Sequence, residues 1–236
     1  MQKIPKHSLR DQGKRPLMAA ITGGSGSGKS YLTKQLQEIT SGEALVIRQD
    51  RFYRDRSHLS PKIRRQRSFD VPQALDWATF LTTLTRLRAG KTANIPNYSY
   101  ATHSREPTFD TVSSFQVVLV EGLWLFHHQS IGSLFDIKLF VDHPVAGRLQ
   151  RRITRDQQER DRDPKDIQRQ FEEEVLPAER KWILPQAKLA DRVISSPCRT
   201  DELNWIKHQI RPQNWPKSHK PVEKTSKLRI LNKNTT

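Results

Sequence analysis

The chain of 236 residues is 34% hydrophobic and 28% charged, enough to bury one sizeable core and suited to one domain. Its 41 Lys and Arg against 25 Asp and Glu give a formal charge of +16, which favours anionic ligands without naming one. Cys198 is alone, which excludes an intrachain disulfide, and no apolar run approaches the ~20 residues of a membrane helix.

In chain order, residues 1–16 hold five basic residues against Asp11, and residues 211–236 hold seven against Glu223, so the two ends carry +10 of the +16. Both are poor in apolar residues and broken by Pro, and they are expected to be mobile tails around a domain at 17–210. Such charge attracts polyanions weakly and is not read as a dedicated nucleic-acid site. The basic start lacks the apolar region and small-residue cleavage site of a secretory signal, which makes the cytoplasm the expected compartment.

The apolar run Leu17 to Thr22 reads as a strand and Lys29 to Ile39 as a helix. Between them Gly23, Gly24, Ser25, Gly26, Ser27, Gly28, Lys29 and Ser30 form an intact G-x-x-x-x-G-K-S loop. Glycines let successive N–H groups curl toward phosphate oxygens, and the next helix adds its positive end. Lys29 is expected on the β- and γ-phosphates and Ser30 on Mg²⁺; Tyr31 completes the expected nucleotide-binding set. A Gly/Ser linker needs neither Lys nor Ser at those positions, nor the flanking strand and helix.

Leu45 to Gln49 reads as the next strand, and Asp50 closes it. From Asp76 to Leu87, Trp77, Phe80, Leu81, Leu84 and Leu87 fall on helical spacing, a core stripe with Gly90 as the stop. Ile95 to Tyr100 and Thr108 to Val112 flank a polar turn around His103 to Pro107, which predicts a β-hairpin able to cover a pocket. Val117 to Glu121 and Ile137 to Val141 are nearly all apolar, as in central strands covered on both faces, and Arg192 to Ser195 reads as the last strand. Strands alternating with helices predict a parallel sheet.

In such a sheet the ligand lies beyond the carboxyl ends of the strands, which singles out Asp50 and Glu121. Glu121 can approach Mg²⁺, directly or through water, and Asp50 can accept a proton from an acceptor hydroxyl; the plainer reading of each is a helix or segment cap. Arg148, Arg151, Arg152 and Arg155 recur at i, i+3, i+4 and i+7, so one helical face carries four guanidinium groups, followed by Arg160 and Arg162. Unneutralised, they repel, and Arg-rich lids clamp transferring phosphoryl groups for that reason. Asp156, Glu159, Asp161 and Asp163 leave a solvated mixed-charge helix as the alternative.

On these residues the chain resembles the uridine kinase (uridine–cytidine kinase) family of the phosphoribulokinase/uridine kinase superfamily, from Leu17 to Ile206. The resemblance is carried by Gly23 to Ser30, Gln49-Asp50-Arg51-Phe52-Tyr53, Phe69-Asp70-Val71-Pro72, Ile95 to Tyr100 with His103-Ser104-Arg105, Val120-Glu121-Gly122, and Phe140-Val141-Asp142 with the arginine helix. It implies an α/β P-loop kinase fold: a parallel five-stranded sheet flanked by helices, a substrate-covering β-hairpin and an Arg-rich lid. It implies ATP- or GTP-dependent, Mg²⁺-assisted phosphorylation of the 5′-hydroxyl of uridine or cytidine, in pyrimidine salvage. Asp50 matches the catalytic base near the metal, with Ser30 and Glu121 on the metal side. Asp70 matches the acid that grips ribose hydroxyls, with Arg152 nearby and Gln170 as a further ribose contact. Tyr98 and His103 match residues that recognise the pyrimidine, Tyr100 falls where a ring stacks on the base, and Arg155, Arg160 and Arg162 match lid and substrate-side arginines. The expected partners are nucleoside and nucleoside triphosphate, with a homo-oligomer left open. Val71, Asp161 and the segment Ser195 to Arg199 depart from the family pattern. A phosphoribulokinase-like metabolite kinase is the alternative, and behind it a nucleotide-dependent nucleic-acid-binding regulator.

Overall fold

A computed structural model describes residues 15–113, 115–160 and 162–210, apart from the side chains at 65, 66, 159 and 160. The expectation of mobile ends therefore falls almost wholly outside the described residues. Arg15 and Pro16, which that expectation included, are tied down: Arg15 pairs with Asp136 at 3.3 Å, and Arg88 donates to the Pro16 carbonyl at 3.1 Å.

Five strands form one parallel sheet in the order β2-β5-β1-β6-β7: β1 is Leu17–Gly23, β2 Leu45–Arg48, β5 Val117–Glu121, β6 Ile137–Asp142 and β7 Arg192–Ser195. Successive side chains of a strand face opposite ways, and the core divides accordingly. Met18, Ala20, Val118 and Val120 pack on one side with Phe52, Phe80, Leu84 and Leu87. Ala19, Ile21, Val117 and Leu119 pack on the other with Leu32, Leu36, Ile194 and Ile206. Every residue of β5 is buried, which is why it reads as an unbroken apolar run.

Helix α1 (Lys29–Ile39) covers the second face and α3 (Trp77–Arg88) the first. The side chain of Asp76 caps α3 by accepting from the Thr79 N–H at 3.1 Å. Between them lies the short α2 (Pro61–Gln66), and α4 (Gln129–Gly132) follows β5. The hairpin pairs β3 (Ala93–Ser99) with β4 (Ser104–Val112) in a separate two-stranded sheet. Its strands are longer than the polar residues around 103–107 suggest, because Tyr98 pairs with Arg105 and Ser99 with Ser104. Residues 106–108 face Asn97 alone, a bulge that accommodates Pro107, which has no N–H for a ladder. After β6 the chain forms α5 (Val145–Arg160), α6 (Pro164–Gln170), a π-helical turn Phe171–Val175 and α7 (Leu176–Trp182), and α8 (Thr200–Ile210) closes the described chain. No helix among the described residues is long and apolar enough to cross a membrane.

Candidate active site

The Gly23 to Ser30 loop joins the carboxyl end of β1 to the start of α1. Gly28 caps that helix at φ 101°, a left-handed conformation that favours glycine. Gly26 is left-handed too, at φ 76°, and a Cβ there would overlap the Arg148 carbonyl, so lid helix and loop touch without room for a side chain. Ser27 is buried, its hydroxyl oxygen has no partner, and its N–H donates to the Gly24 carbonyl at 3.1 Å. Lys29 folds back over the loop and donates to the Gly23 and Gly24 carbonyls at 2.9 and 2.7 Å. Burial pushes its pKa down to about 8 against the opposing pull of Glu121. Tyr31 turns outward and is 59% exposed.

Glu121 ends β5, and its Oε1 accepts from the Ser30 hydroxyl at 3.3 Å and pairs with Arg48 Nε at 3.2 Å. Its Oε2 is buried without a partner. The segment expected as strand through Gln49 ends at Arg48 instead, and Asp50 sits in a 3₁₀ turn, Gln49–Phe52. The residue at the cap position of that turn is Arg48, with no side-chain cap bond, so Asp50 is not a cap. Asp50 Oδ1 is buried without a partner, and the charge of the carboxylate acts on the Tyr53 and Tyr100 phenols. Burial and the Asp50 charge hold Tyr100 far above the usual tyrosine range. Gln49 fixes the neighbouring strand end by accepting from the Leu123 and Trp124 N–H groups at 2.9 and 3.0 Å.

The hairpin closes over this edge. Arg51 clamps it from below, donating through Nε to the Pro96 carbonyl at 2.8 Å and through Nη2 to Asn97 Oδ1 and to Asp110 Oδ2 at 2.8 Å. Tyr98 is buried with a partnerless hydroxyl, and burial pushes its pKa up to about 12. Its ring centroid lies 5.5 Å from that of Tyr53 and 5.4 Å from that of Tyr100. His103, at φ 52° in the turn, stacks on Phe69 with centroids 4.9 Å apart and planes 26° apart. Arg56 covers Phe69 as well, at 4.6 Å. Asp70 follows Phe69, and its charge acts on both Tyr53 and Arg152. Tyr53, Arg56 and Phe69 thus join the aromatic cluster although sequence reasoning assigned them no role; Tyr53 and Phe69 were signalled only by their segments around Asp50 and Asp70, and Arg56 by nothing local.

The arginine helix differs from the expectation of one uncompensated face. Arg148 is buried in an ion pair with Glu179 of α7, which stands behind Gly24 of the loop. Asp156, one of the acids attributed to a solvated helix, is fully buried and draws Arg155 at 2.8 Å, Arg162 at 3.4 Å and Arg152 at 3.7 Å. Arg152 also donates to Ser25 Oγ and to Gln170 Oε1, each at 3.1 Å, and Arg162 reaches the same Gln170 oxygen at 2.9 Å. Arg151 instead reaches Ser196 Oγ at 3.0 Å, beyond the last strand. The helix buries two of the four arginines, and its own acid holds Arg152, Arg155 and Arg162 together. The side chain of Arg160, and Asp161, lie outside the described residues.

These placements bring a glycine-rich loop, two carboxylates with buried partnerless oxygens, an aromatic cluster and three gathered arginines to the carboxyl edge of one sheet. Among the described residues no three His, Cys, Asp or Glu side chains cluster as metal ligands. The oxygens of Ser30, Asp50 and Glu121 are nevertheless the hard donors that suit Mg²⁺, which keeps several waters and needs few protein ligands.

The family model of the phosphoribulokinase/uridine kinase family matches residues 18–201. Uridine-cytidine kinase 2-B of Danio rerio is 36% identical over 201 residues, 80% of this chain and 74% of that protein. Uridine kinase of Brevibacillus brevis is 35% identical over 180 residues, 76% of this chain and 84% of that one. The phosphoribulokinase of Rhodobacter spheroides shares the fold, with a TM-score of 0.57 at 20% identity over 77% of this chain and 70% of that one. Loop, sheet order and sequence agree: the chain belongs to the phosphoribulokinase/uridine kinase family.

Proposed function

We propose that the protein is a nucleoside kinase that transfers the γ-phosphoryl group of ATP or GTP to the 5′-hydroxyl of uridine, and of cytidine, giving the monophosphate for pyrimidine salvage. Relatives bearing uridine kinase names at 35–36% identity support the activity. The observation that carries the acceptor side is the buried, partnerless Oδ1 of Asp50, whose charge acts on Tyr53 and Tyr100, both packed against Tyr98 in an aromatic cluster that runs on through Phe69 to His103. A carboxylate so placed can accept the proton of a ribose hydroxyl, and a flat pyrimidine suits an aromatic wall with an imidazole.

In this reading Gly23, Gly24, Ser25, Gly26, Ser27 and Gly28 cradle the donor's phosphates, and Lys29 leaves its two carbonyl partners to meet the β- and γ-oxygens. Ser30, Asp50 and Glu121 would hold Mg²⁺, which would neutralise charge on the transferring phosphate. Asp50 takes the proton of the acceptor hydroxyl as the new P–O bond forms and the bond from the γ-phosphorus to the β,γ-bridging oxygen breaks, the nucleoside diphosphate leaving with that electron pair. Asp70 accepts from the ribose hydroxyls, with Arg152 and Gln170 beside it, while Tyr98 and His103 select the base. Arg155, Arg160 and Arg162 stabilise the charge spread over the transferring group and, with the hairpin, exclude water. Residues 17–210 constitute the working domain, and the basic ends lie outside the chemistry.

Turnover should be compared on uridine, cytidine and pentose phosphates under one donor. The expected outcome is a kcat/KM for a pyrimidine nucleoside at least a hundredfold above that for any sugar phosphate. A preference for a sugar phosphate would move the protein to the phosphoribulokinase-like alternative.

A further inference from the structure

Phe69 carries a cation on its ring. The Arg56 guanidinium lies 4.6 Å from the ring centroid, and His103 stacks on the same ring at 4.9 Å. Tyr53 packs against it at 5.2 Å and continues the cluster to Tyr98 at 5.5 Å. Arg56 Nη2 donates to the Ser68 carbonyl at 3.4 Å, whereas Nη1 is buried without a partner, and so is the Tyr98 hydroxyl. A buried N–H with no acceptor is costly, and a ligand that brings an acceptor removes the cost.

The place of Arg56 decides which part of a pyrimidine can bring it. The neighbouring Asp55 accepts from the Arg105 N–H of the hairpin at 3.3 Å, and Arg64 donates to the Thr102 carbonyl at 2.8 Å, so this segment runs beside the hairpin turn. The ribose side faces the glycine-rich loop instead: the charge of Asp70 acts on Arg152, which donates to Ser25 of that loop. C4 lies across the pyrimidine ring from N1, which bears the ribose, so the substituent on C4 points farthest from the sugar. We propose that Arg56 is a specificity-determining residue that donates through Nη1 to the 4-oxygen of uracil and makes uridine the preferred acceptor over cytidine. Arginine has donors only, so the 4-amino group of cytosine sets N–H against N–H and leaves both unsatisfied. The Tyr98 hydroxyl, both donor and acceptor, serves either base. The inference rests on the nucleoside-kinase reading above and deepens it by naming the base that the site prefers.

Initial rates under saturating Mg-ATP should be compared on uridine, cytidine and pyrimidin-2-one riboside, which has no substituent at C4. The unmodified protein is expected to favour uridine at least about tenfold in kcat/KM over each of the other two. Arg56→Met keeps an unbranched stem over Phe69 and removes the donors, and its kcat/KM values on the three should agree within about threefold. Arg56→Gln, whose amide accepts as well as donates, should bring uridine and cytidine equally close and serves if the Met variant does not fold. Equal kcat/KM of the unmodified protein on uridine and cytidine overturns the proposal, and so does equal kcat/KM on uridine and pyrimidin-2-one riboside. A uridine preference that survives in a folded Arg56 variant overturns it as well, because the selection would then lie elsewhere in the cluster. Absence of turnover on every nucleoside would instead refute the function proposed above, so the two failures are told apart.

Discussion

Asp50 and Lys29 carry the sharpest expectations for single side chains. A positioned base contributes about 10²–10⁴ in rate, so Asp50→Asn is expected to lower kcat by at least about a hundredfold. Uridine affinity measured by calorimetry should stay within a few-fold, and near-normal kcat would remove Asp50 from the chemistry. Lys29 is held down to about 8, chiefly by burial. Above that pH the nucleotide-free protein carries it neutral, whereas phosphate needs the ammonium, so binding must take up a proton. ATP affinity is expected to fall roughly tenfold per pH unit above about pH 8 and to be indifferent to this group below it. Calorimetry in buffers of different ionisation enthalpy registers the uptake. Lys29→Arg, cationic throughout, should abolish both effects.

The elements that frame the site were largely legible, and their mutual contacts were not. Strands such as Val117 to Glu121 announce themselves because burial on both faces demands an unbroken apolar run. The loop is legible because close phosphate approach demands glycines at fixed spacing. Arg148 shows the limit: helical spacing placed it with Arg151, Arg152 and Arg155, and nothing local reveals that Glu179, 31 residues on, takes its charge. Asp156 likewise reads as one acid in a mixed run until the fold buries it among three arginines. The Arg148–Glu179 pair ties α5 to α7 behind the loop, with side chains 5% and 4% exposed. Arg148→Met leaves a buried carboxylate uncompensated, and the expected loss is about 3–5 kcal/mol in urea unfolding. Adding Glu179→Met should recover most of it. Failure to recover would mean that the pair does more than satisfy itself.

At the scale of the whole molecule, charge and chemistry separate. The ends at 1–16 and 211–236 carry +10 of the +16, while every residue proposed for the reaction lies between Gly23 and Gln170. A protein of residues 15–210 is expected to keep kcat/KM for uridine within about threefold. It should lose most of the salt-dependent retention on a polyanion column, since that binding falls steeply with salt and follows basic residues. Loss of turnover on this trimming would give the ends a part in catalysis. The open parallel sheet determines which edge reacts: the loop after β1, the turn after β2 and the end of β5 all converge at its carboxyl side. The central claim is that this edge passes a phosphoryl group to a ribose 5′-hydroxyl. Incubation with Mg-ATP and either uridine or 5′-deoxyuridine, followed by phosphorus NMR of the products, tests it most directly. Uridine should yield the 5′-monophosphate and 5′-deoxyuridine none. Phosphate on the 2′- or 3′-oxygen, or turnover of 5′-deoxyuridine, would contradict it.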